Sequence, residues 1–282
     1  MEQASWRRRW ALGKNGQRQL HALVKSGPLV ALDYDGTLCP IRRTPQAAVL
    51  TGHTHALLQQ VCALFPVAII SGRSVKNLVE ILGDLRPDYL VGNHGLEPGP
   101  RLARAARQVS LASQLLAPDV EALPGVELEN KRYTLSLHYR RAPQTAKTRR
   151  VLIQLAHRWA PGLRQVEGKK VLNLIPIGGD KGRALSRLLG RSKRSRALFV
   201  GDDLTDEDAF KLPKVKVMSV RVGEKHGTAA GWYLKGRREV DELLAELICL
   251  GRSKWVAAPN VGAQTIGRAL AVAVDPLPGA GP

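Results

Sequence analysis

The stretch that decides the fold is PLVALDYDGTLCPI, residues 28–41. Its apolar first half is suited to a buried strand, and that strand stops abruptly at two carboxylates, Asp33 and Asp35. Burying one ionised carboxylate is costly, and two that lie this close together repel each other. The pair therefore requires a cation or a set of hydrogen-bond donors as its partner.

Short apolar runs that end at Gly, Asp or Ser recur along the chain, separated by segments of helical periodicity. The runs lie at 29–34, 67–72, 89–93, 197–202 and 216–220. The helical segments lie at about 46–63, 74–82, 181–190, 205–211 and 239–250. Runs of this kind are typical of strands buried on both faces. The alternation predicts an open α/β fold built on a parallel sheet.

Residues 101–176 break this alternation. They comprise a helical piece near 103–116, a strand at 133–140, a helix at 144–159 and a strand at 169–176. This pattern indicates a separate α+β insert. The sequence therefore predicts a basic N-terminal arm at 1–27, a core at 28–100 and 177–252, an inserted cap at 101–176 and a C-terminal tail at 253–282.

The composition excludes several classes of protein. Apolar residues make up 44% of the 282 residues, but no run is long enough to span a bilayer, and the basic N-terminus lacks the apolar stretch of a signal peptide. We therefore expect a cytoplasmic protein. The three cysteines are scattered at no metal-ligand spacing, so we expect neither a zinc site nor a disulfide framework.

The net charge of +19 is concentrated in part of the chain, since residues 101–170 hold 14 Lys and Arg against 5 Asp and Glu. Such a surface attracts anions, whether nucleic acids or phosphate esters. Aromatic residues make up only 5% and do not alternate with basic ones, so a stacking platform for single strands is poorly supported. We expect a monomer with an anionic small-molecule substrate and no membrane partner. A basic nucleic-acid-associated protein on the same scaffold stays an alternative.

In an open parallel sheet, ligands bind beyond the carboxyl ends of the strands, and four polar segments fall there. They are Asp33 with Asp35, Ser71, Lys181 and the acidic run at 202–206. Taken singly, each is also compatible with a turn or a helix cap. Taken together, their oxygen ligands suit Mg²⁺, which proteins usually hold by a few carboxylates and a substrate phosphate.

The motifs DYDGT, SGR, DKG and GDDLTDED resemble the four motifs of the haloacid dehalogenase superfamily of phosphatases. Within it, VGNHGLE, LENKRYTLSLHYR and GTAAGWYLKGRREVDELLAEL resemble the trehalose-6-phosphate phosphatases, and the likeness runs from about residue 28 to 250. The resemblance implies a Rossmann-like core with an inserted mobile cap. It also implies Mg²⁺-dependent hydrolysis of trehalose 6-phosphate through an aspartyl-phosphate.

The resemblance implies a role for each core residue. Asp33 would attack phosphorus, and Asp35 would serve as general acid and then general base. Ser71 and Lys181 would hold the phosphate oxygens, together with Asp33. The metal ligands would be Asp33, the backbone carbonyl of Asp35 and Asp202, with a surrounding layer formed by Asp203 and Asp206. The implied substrate-binding residues are Arg73, His94, Glu97, Glu129, Lys131, Arg140 and Asn173.

Two positions depart from the family pattern. Asn173-Leu174-Ile175-Pro176 stands where Glu-x-Arg-Pro is usual, and Gly179 stands where a tryptophan is common. The charged contact that the family makes with the sugar is replaced by the amide of Asn173, and the family's arginine is replaced by Ile175. Phosphatases of sucrose phosphate or of a glycosyl-phosphoglycerate therefore stay alternatives that share the same core chemistry.

Overall fold

The computed structural model describes residues 9–42, 47–224 and 227–256. The strands are β1 (Leu29–Leu32), β2 (Val67–Ile70), β3 (Tyr89–Val91), β4 (Glu127–Asn130), β5 (Leu135–His138), β6 (Leu163–Gly168), β7 (Val171–Pro176), β8 (Ala197–Gly201), β9 (Val217–Val222) and β10 (Trp232–Leu234). The helices are α1 (Lys14–Lys25), α2 (Gly52–Leu64), α3 (Val75–Leu82), α4 (Leu102–Glu121), α5 (Thr145–Trp159), α6 (Lys181–Arg191), α7 (Glu207–Phe210) and α8 (Arg238–Val256).

The larger sheet is six-stranded and parallel, in the order β10-β9-β8-β1-β2-β3. From β1 the chain builds one side of the sheet with β2 and β3, and later the other side with β8, β9 and β10. The strand order therefore reverses at β1. A crevice opens beyond the carboxyl end of a strand at such a switch point.

Strand β1 is buried on both faces, as the sequence predicts. Val30 and Leu32 join the apolar cluster on the side of α1, α2 and α8, whereas Leu29 and Ala31 join the cluster on the side of α6. This alternation follows from the period of two along a strand. It fixes Asp33, the next residue, at the edge of the sheet where the crevice opens.

The predicted N-terminal arm differs from the structure over the residues that are described. Helix α1 buries Leu20, Leu23 and Val24 in the same apolar cluster as β1. Just before it, the backbone nitrogen of Ala11 donates to the carbonyl of Tyr233 at 2.9 Å, beside β10. Residues 9–25 are thus part of the core rather than an arm. Residues 1–8 lie outside the described residues.

The insert forms a four-stranded antiparallel sheet in the order β4-β5-β7-β6, with α4 and α5 packed against it. Its apolar core includes Val109, Leu137, Leu152 and Leu172, and it is a separate cluster from those of the parallel sheet. The sequence predicts neither β4, because ELEN is polar, nor β6, because LRQVEG does not alternate. The exact limits of the predicted regions stay predictions.

Several predicted boundaries shift by a few residues. Helix α2 begins after Thr51, whose hydroxyl accepts from the backbone nitrogen of Thr54, rather than at residue 46, which lies outside the described residues. The helix predicted at 205–211 is a 3-10 turn at Leu204–Asp206 followed by the single turn of α7. Helix α8 continues into the predicted tail as far as Val256, and the rest of the tail lies outside the described residues. Among the described residues, none of the helices combines the length and apolarity that crossing a membrane requires.

Candidate active site

Three of the predicted core residues meet at the carboxyl end of the parallel sheet. Asp33 follows β1, Lys181 opens α6, and Asp206 lies after β8. The Nζ of Lys181 donates to Oδ1 of Asp33 and to Oδ1 of Asp206, both at 2.7 Å. All three side chains are buried. Burial alone lowers the pKa of Lys181, but the charges of Asp206 and Asp33 outweigh it and raise that pKa, so the ammonium stays charged.

Asp206 orients the loop that carries the next carboxylate. Its Oδ2 accepts from the backbone nitrogens of Asp202 and Asp203, at 2.8 and 2.9 Å. Asp203 and Asp206 form a capping box around the 3-10 turn. From the neighbouring strand, Arg221 donates to the carbonyls of Asp202 at 2.6 Å and Asp203 at 3.3 Å. The loop is therefore held from two sides.

The turn after β1 closes over this loop. Gly36 has a φ of +84°, and a Cβ built on it would lie 2.1 Å from Oδ2 of Asp202. Both the left-handed backbone and this close approach require glycine. The DYDGT sequence thus brings Asp33 and Asp202 together.

The carboxylates of Asp33, Asp202 and Asp206 can each offer one oxygen within 4.8 Å of the others. Burial raises the pKa of Asp33 well above its usual range, and although Lys181 lowers it, Asp206 and Asp202 raise it further. Burial likewise raises the pKa of Asp202 to about 6, despite the opposing charge of Lys169. Among the described residues, Oδ1 of Asp202 is buried without a hydrogen-bond partner. A hard divalent cation would satisfy this oxygen and the surplus of negative charge, so the residues present fit such an ion.

Asp35 has a different environment from Asp33. Arg73 holds it with two hydrogen bonds of 2.7 Å, from Nε to Oδ2 and from Nη2 to Oδ1. A third nitrogen of Arg73 donates to Asn77 at 2.7 Å. The sequence predicts Arg73 as a substrate ligand, whereas in the structure its guanidinium braces Asp35. Its contact with substrate stays a prediction.

Ser71 and the loop after β3 form one wall of the crevice. The backbone nitrogen of His94 donates to the carbonyl of Ser71 at 2.9 Å. Glu97 accepts from the side chain of Asn93 at 2.6 Å and from the backbone nitrogen of Val75 at 3.0 Å. Glu97 therefore braces the loop and the start of α3, and its contact with substrate stays a prediction.

His94 is the residue of this wall with free hydrogen-bonding capacity. Its backbone is left-handed (φ 55°), which costs about 1–3 kcal/mol and persists only where the surroundings enforce it. Both ring nitrogens are buried without a hydrogen-bond partner in the described part of the chain. Burial, and then the charges of Lys181, Lys131 and Arg164, lower its pKa well below the usual value. The imidazole is thus neutral and able to bind a ligand.

The predicted cap residues divide into two groups. Glu129 lies 2.8 Å from Nε2 of His138 and 3.5 Å from Nζ of Lys131. Burial raises the pKa of Glu129, but the His138 hydrogen bond and the Lys131 charge outweigh it and lower that pKa to about 2. Arg140 lies apart from this pair, with Nη2 donating to the carbonyl of Lys169 at 2.8 Å.

Asn173 is buried on β7, and its Oδ1 accepts from the hydroxyl of Ser136 at 2.8 Å. The two residues are directly paired between β5 and β7. A side-chain oxygen that would otherwise be buried and unpaired is therefore satisfied within the sheet.

The two departures from the family pattern are structurally linked. Ile175 is fully buried, and a Cβ built on Gly179 would lie 2.4 Å from its Cγ2. Ile175 thus fills space that a side chain at residue 179 would need. The partner of Ile175 on β6 is Arg164, which donates to Asp208 at 2.8 Å and to the carbonyl of Gly179 at 2.9 Å. Arg164, on the strand next to Ile175, therefore contacts core residues Asp208 and Gly179 from this edge of the antiparallel sheet.

Four residues near the site are not predicted from the sequence: Lys169, Arg221, Arg164 and His138. The sequence predicts Lys169 at the start of a strand, whereas it follows Gly168 at the tip of the β6–β7 hairpin. The Gly-Lys-Lys triplet was the available signal for that turn. Its Nζ lies 2.5 Å from Oδ2 of Asp202. Arg221 and Arg164 lie on paired strands and belong to no motif. His138 lies inside LENKRYTLSLHYR, and the pairing of β4 with β5 brings it to Glu129.

The chain matches the trehalose-phosphatase family model over residues 31–236. It is 32% identical to probable trehalose-phosphate phosphatase 9 of Oryza sativa subsp. japonica, in an alignment covering 84% of this chain and 74% of the rice protein. It is 33% identical to the trehalose-phosphate phosphatase of Mycobacterium ulcerans, over 78% of this chain and 61% of that protein. The chain thus spans less than two thirds of the mycobacterial relative.

The fold is similar to that of the C-terminal domain of Candida albicans trehalose-6-phosphate phosphatase. The TM-score is 0.74 at 24% identity, covering 83% of this chain and 97% of that one. This likeness confirms the predicted fold, a parallel-sheet core with an inserted α+β cap. Together with the family match, it confirms the identification made from the motifs: the chain belongs to the trehalose-phosphatase family of the haloacid dehalogenase superfamily.

Proposed function

We propose that this protein hydrolyses trehalose 6-phosphate to trehalose and phosphate, with Mg²⁺ as its cofactor. The observation that carries the proposal is the buried cluster of Asp33, Asp202, Asp206 and Lys181 at the switch point of the parallel sheet. The names of the relatives in rice and Mycobacterium supply the substrate.

In this proposal Asp33 and Asp202 hold the ion through carboxylate oxygens, together with the backbone carbonyl of Asp35. When bound, Mg²⁺ neutralises the buried carboxylates and the charge of the phosphoryl group. Asp206 already accepts three hydrogen bonds, from Lys181 and two backbone nitrogens, so its role is to position Lys181 and the loop. Asp203 supports the same loop as its cap.

The reaction would proceed in two steps. Asp33 attacks phosphorus, and the sugar oxygen leaves as an aspartyl-phosphate forms; water then hydrolyses this intermediate. Lys181 already donates to Asp33, so it can bind a phosphoryl oxygen next to the attacking carboxylate. Ser71, buried at the end of β2, would supply a second donor.

Asp35 would transfer the protons. It would protonate the leaving sugar oxygen in the first step and accept a proton from water in the second. The bidentate contact with Arg73 fixes the plane of its carboxylate, as proton transfer along one direction requires. Substrate specificity would come from the cap, where Glu129 and Lys131 can each make several directional hydrogen bonds to sugar hydroxyls. Arg140, Asn173 and His94 would complete the sugar site.

The experiment that tests the substrate is phosphate release across a panel of sugar phosphates, with trehalose 6-phosphate, sucrose phosphate and a glycosyl-phosphoglycerate as the decisive members. We expect the highest kcat/KM for trehalose 6-phosphate and complete loss of activity with EDTA, restored by Mg²⁺. A higher kcat/KM for either of the other two would overturn the substrate assignment. Activity that persists in EDTA would overturn the role of the metal.

Asn173→Glu tests the same assignment from the side of the protein, because glutamate is usual here in the family. If trehalose 6-phosphate is the substrate, we expect the variant to keep or improve its kcat/KM. Asn173→Gln is the matched control, since it adds the same methylene group without the charge. A selective loss in the glutamate variant alone would argue for a different sugar.

A further inference from the structure

The tip of the β6–β7 hairpin brings a cap lysine to a core carboxylate. Nζ of Lys169 lies 2.5 Å from Oδ2 of Asp202. The Asp202 side chain is 1% exposed, whereas that of Lys169 is 51% exposed. The carboxylate is therefore fixed in the core, and the lysine reaches it along a side chain that is half in solvent.

The backbone of the tip makes contacts of its own, whereas the side chain of Lys169 is half exposed. Arg140 donates to the carbonyl of Lys169 at 2.8 Å. A Cβ built on Gly168 would lie 2.7 Å from Oδ2 of Asp203, so the tip approaches the core loop as closely as only glycine allows. Farther along the hairpin, Arg164 pairs with Asp208 at 2.8 Å. A cleft of about 350 Å³ beside the tip, bordered by Asp202 and Asp203, leaves room for the ammonium.

The charges of the site favour a change of partner for Lys169 when a metal binds. Three carboxylates, Asp33, Asp202 and Asp206, face two ammonium groups, those of Lys181 and Lys169. A dication on Asp202 would share that carboxylate with the ammonium, and two cations within a few ångströms repel each other strongly at low dielectric. With the dication bound, its charge and those of the two ammonium groups offset the carboxylates, including Asp203 beside the tip, so the site no longer repels a phosphoryl dianion.

We propose that Lys169 is a partner-switching residue, which pairs with Asp202 in the metal-free protein and binds the phosphoryl group of the substrate once a divalent cation occupies Asp202. Lys169 thereby links metal binding to substrate binding from the cap. This inference rests on the proposed function, because it places a divalent cation at Asp202.

The first test measures Mn²⁺ binding to the full chain without substrate, using the electron paramagnetic resonance signal of free Mn²⁺. Lys169→Gln removes the competing cation, so we expect affinity to rise about tenfold, or about 1.4 kcal/mol. Arg164→Gln is the matched control. It removes the same charge from the same hairpin and breaks another cap-to-core ion pair, but it does not touch Asp202. We expect its Mn²⁺ affinity to stay within about twofold of the wild type.

The second test measures binding of inorganic phosphate to the Mg²⁺-loaded proteins by calorimetry. We expect Lys169→Gln to weaken phosphate binding about tenfold, as loss of a charged hydrogen bond does, with Arg164→Gln unchanged. The inference is overturned if Lys169→Gln fails to raise Mn²⁺ affinity, if both variants raise it equally, or if phosphate affinity is unaltered. Failure of the wild-type protein to bind Mn²⁺ at all would instead overturn the proposed function.

Discussion

The core cluster and the sugar-binding part of the cap are built in opposite ways. Lys181 is 2% exposed and makes two ion pairs of 2.7 Å, whereas Lys131 is 15% exposed and its ion pair with Glu129 spans 3.5 Å. In the core, Lys181 and Asp206 each have several partners, so replacing one of them leaves a buried charge uncompensated. In the cap, the contact of Lys131 with Glu129 is longer and more exposed, so replacing one partner leaves the other closer to solvent. The departures from the family at positions 173, 175 and 179 are of another kind, because they are buried and uncharged and Ile175 fills the space beside Gly179.

The strongest test of the core is Asp33→Asn, which removes the nucleophile. The amide cannot form the acyl-phosphate and is a poor ligand for Mg²⁺, so we expect kcat to fall by roughly 10³-fold or more. The fold should persist, because Lys181 keeps its 2.7 Å ion pair with Asp206. Steady-state kinetics and circular dichroism on the same preparation measure both. Substantial turnover by a clean sample would exclude Asp33 as the nucleophile.

The corresponding test of the cap is Lys131→Ala. If Lys131 binds the sugar far from phosphorus, kcat/KM for trehalose 6-phosphate should fall by about 10- to 100-fold, the effect of losing a charged hydrogen bond. A small aryl phosphate serves as the control substrate, since it does not reach the sugar site. We expect its hydrolysis to be nearly unaltered. Equal slowing of both substrates would make the cap a general lid and remove the contrast with the core.

The link between the two departures can be tested by stability. Gly179→Ala should destabilise the protein by about 1–3 kcal/mol, since the new methyl group meets Ile175. Ile175→Ala should also destabilise it, by leaving a cavity. In the double variant Gly179→Ala/Ile175→Ala, the new methyl group has space. The destabilisation of this variant, measured by urea unfolding, should therefore be smaller than the sum of the destabilisations of the two single variants. Simple additivity would show that the two positions are independent.

The smallest expected effect concerns the ionisation of Glu129. Its folded-state pKa of about 2 lies below the ordinary 4.5, so its charge contributes stability that is present above pH 4.5 and is lost as the pH falls towards 2. The difference in unfolding free energy between the wild type and Glu129→Gln should be constant above pH 4.5. It should shrink as the pH falls from 4.5 towards 2. Thermal melts between pH 2 and 6 would measure this. A difference that does not change with pH would contradict the assignment.

Much of the core site could be predicted because its residues follow buried strands. Once the apolar run at 29–32 is recognised as a central strand, Asp33 is fixed at the sheet edge, and the same holds for Asp202 after β8. The partners of Arg73, Glu97 and Arg140 could not be predicted in this way. Each of these long side chains has several polar groups within reach, and packing decides between them.

The sequence by itself determined the parallel core and the inserted cap, and it predicts the catalytic carboxylates, since these depend on local periodicity and on motifs at strand ends. Only the tertiary structure decided that residues 9–25 belong to the core, that Ile175 occupies the space beside Gly179, and that Lys169 meets Asp202. Lys169 and Asp202, and likewise Ala11 and Tyr233, are far apart in the chain, whereas Ile175 and Gly179 are near in sequence and meet through the turn after β7. The formation of these contacts depends on the crossing of strands and on close approach of backbones, which the order of residues does not display.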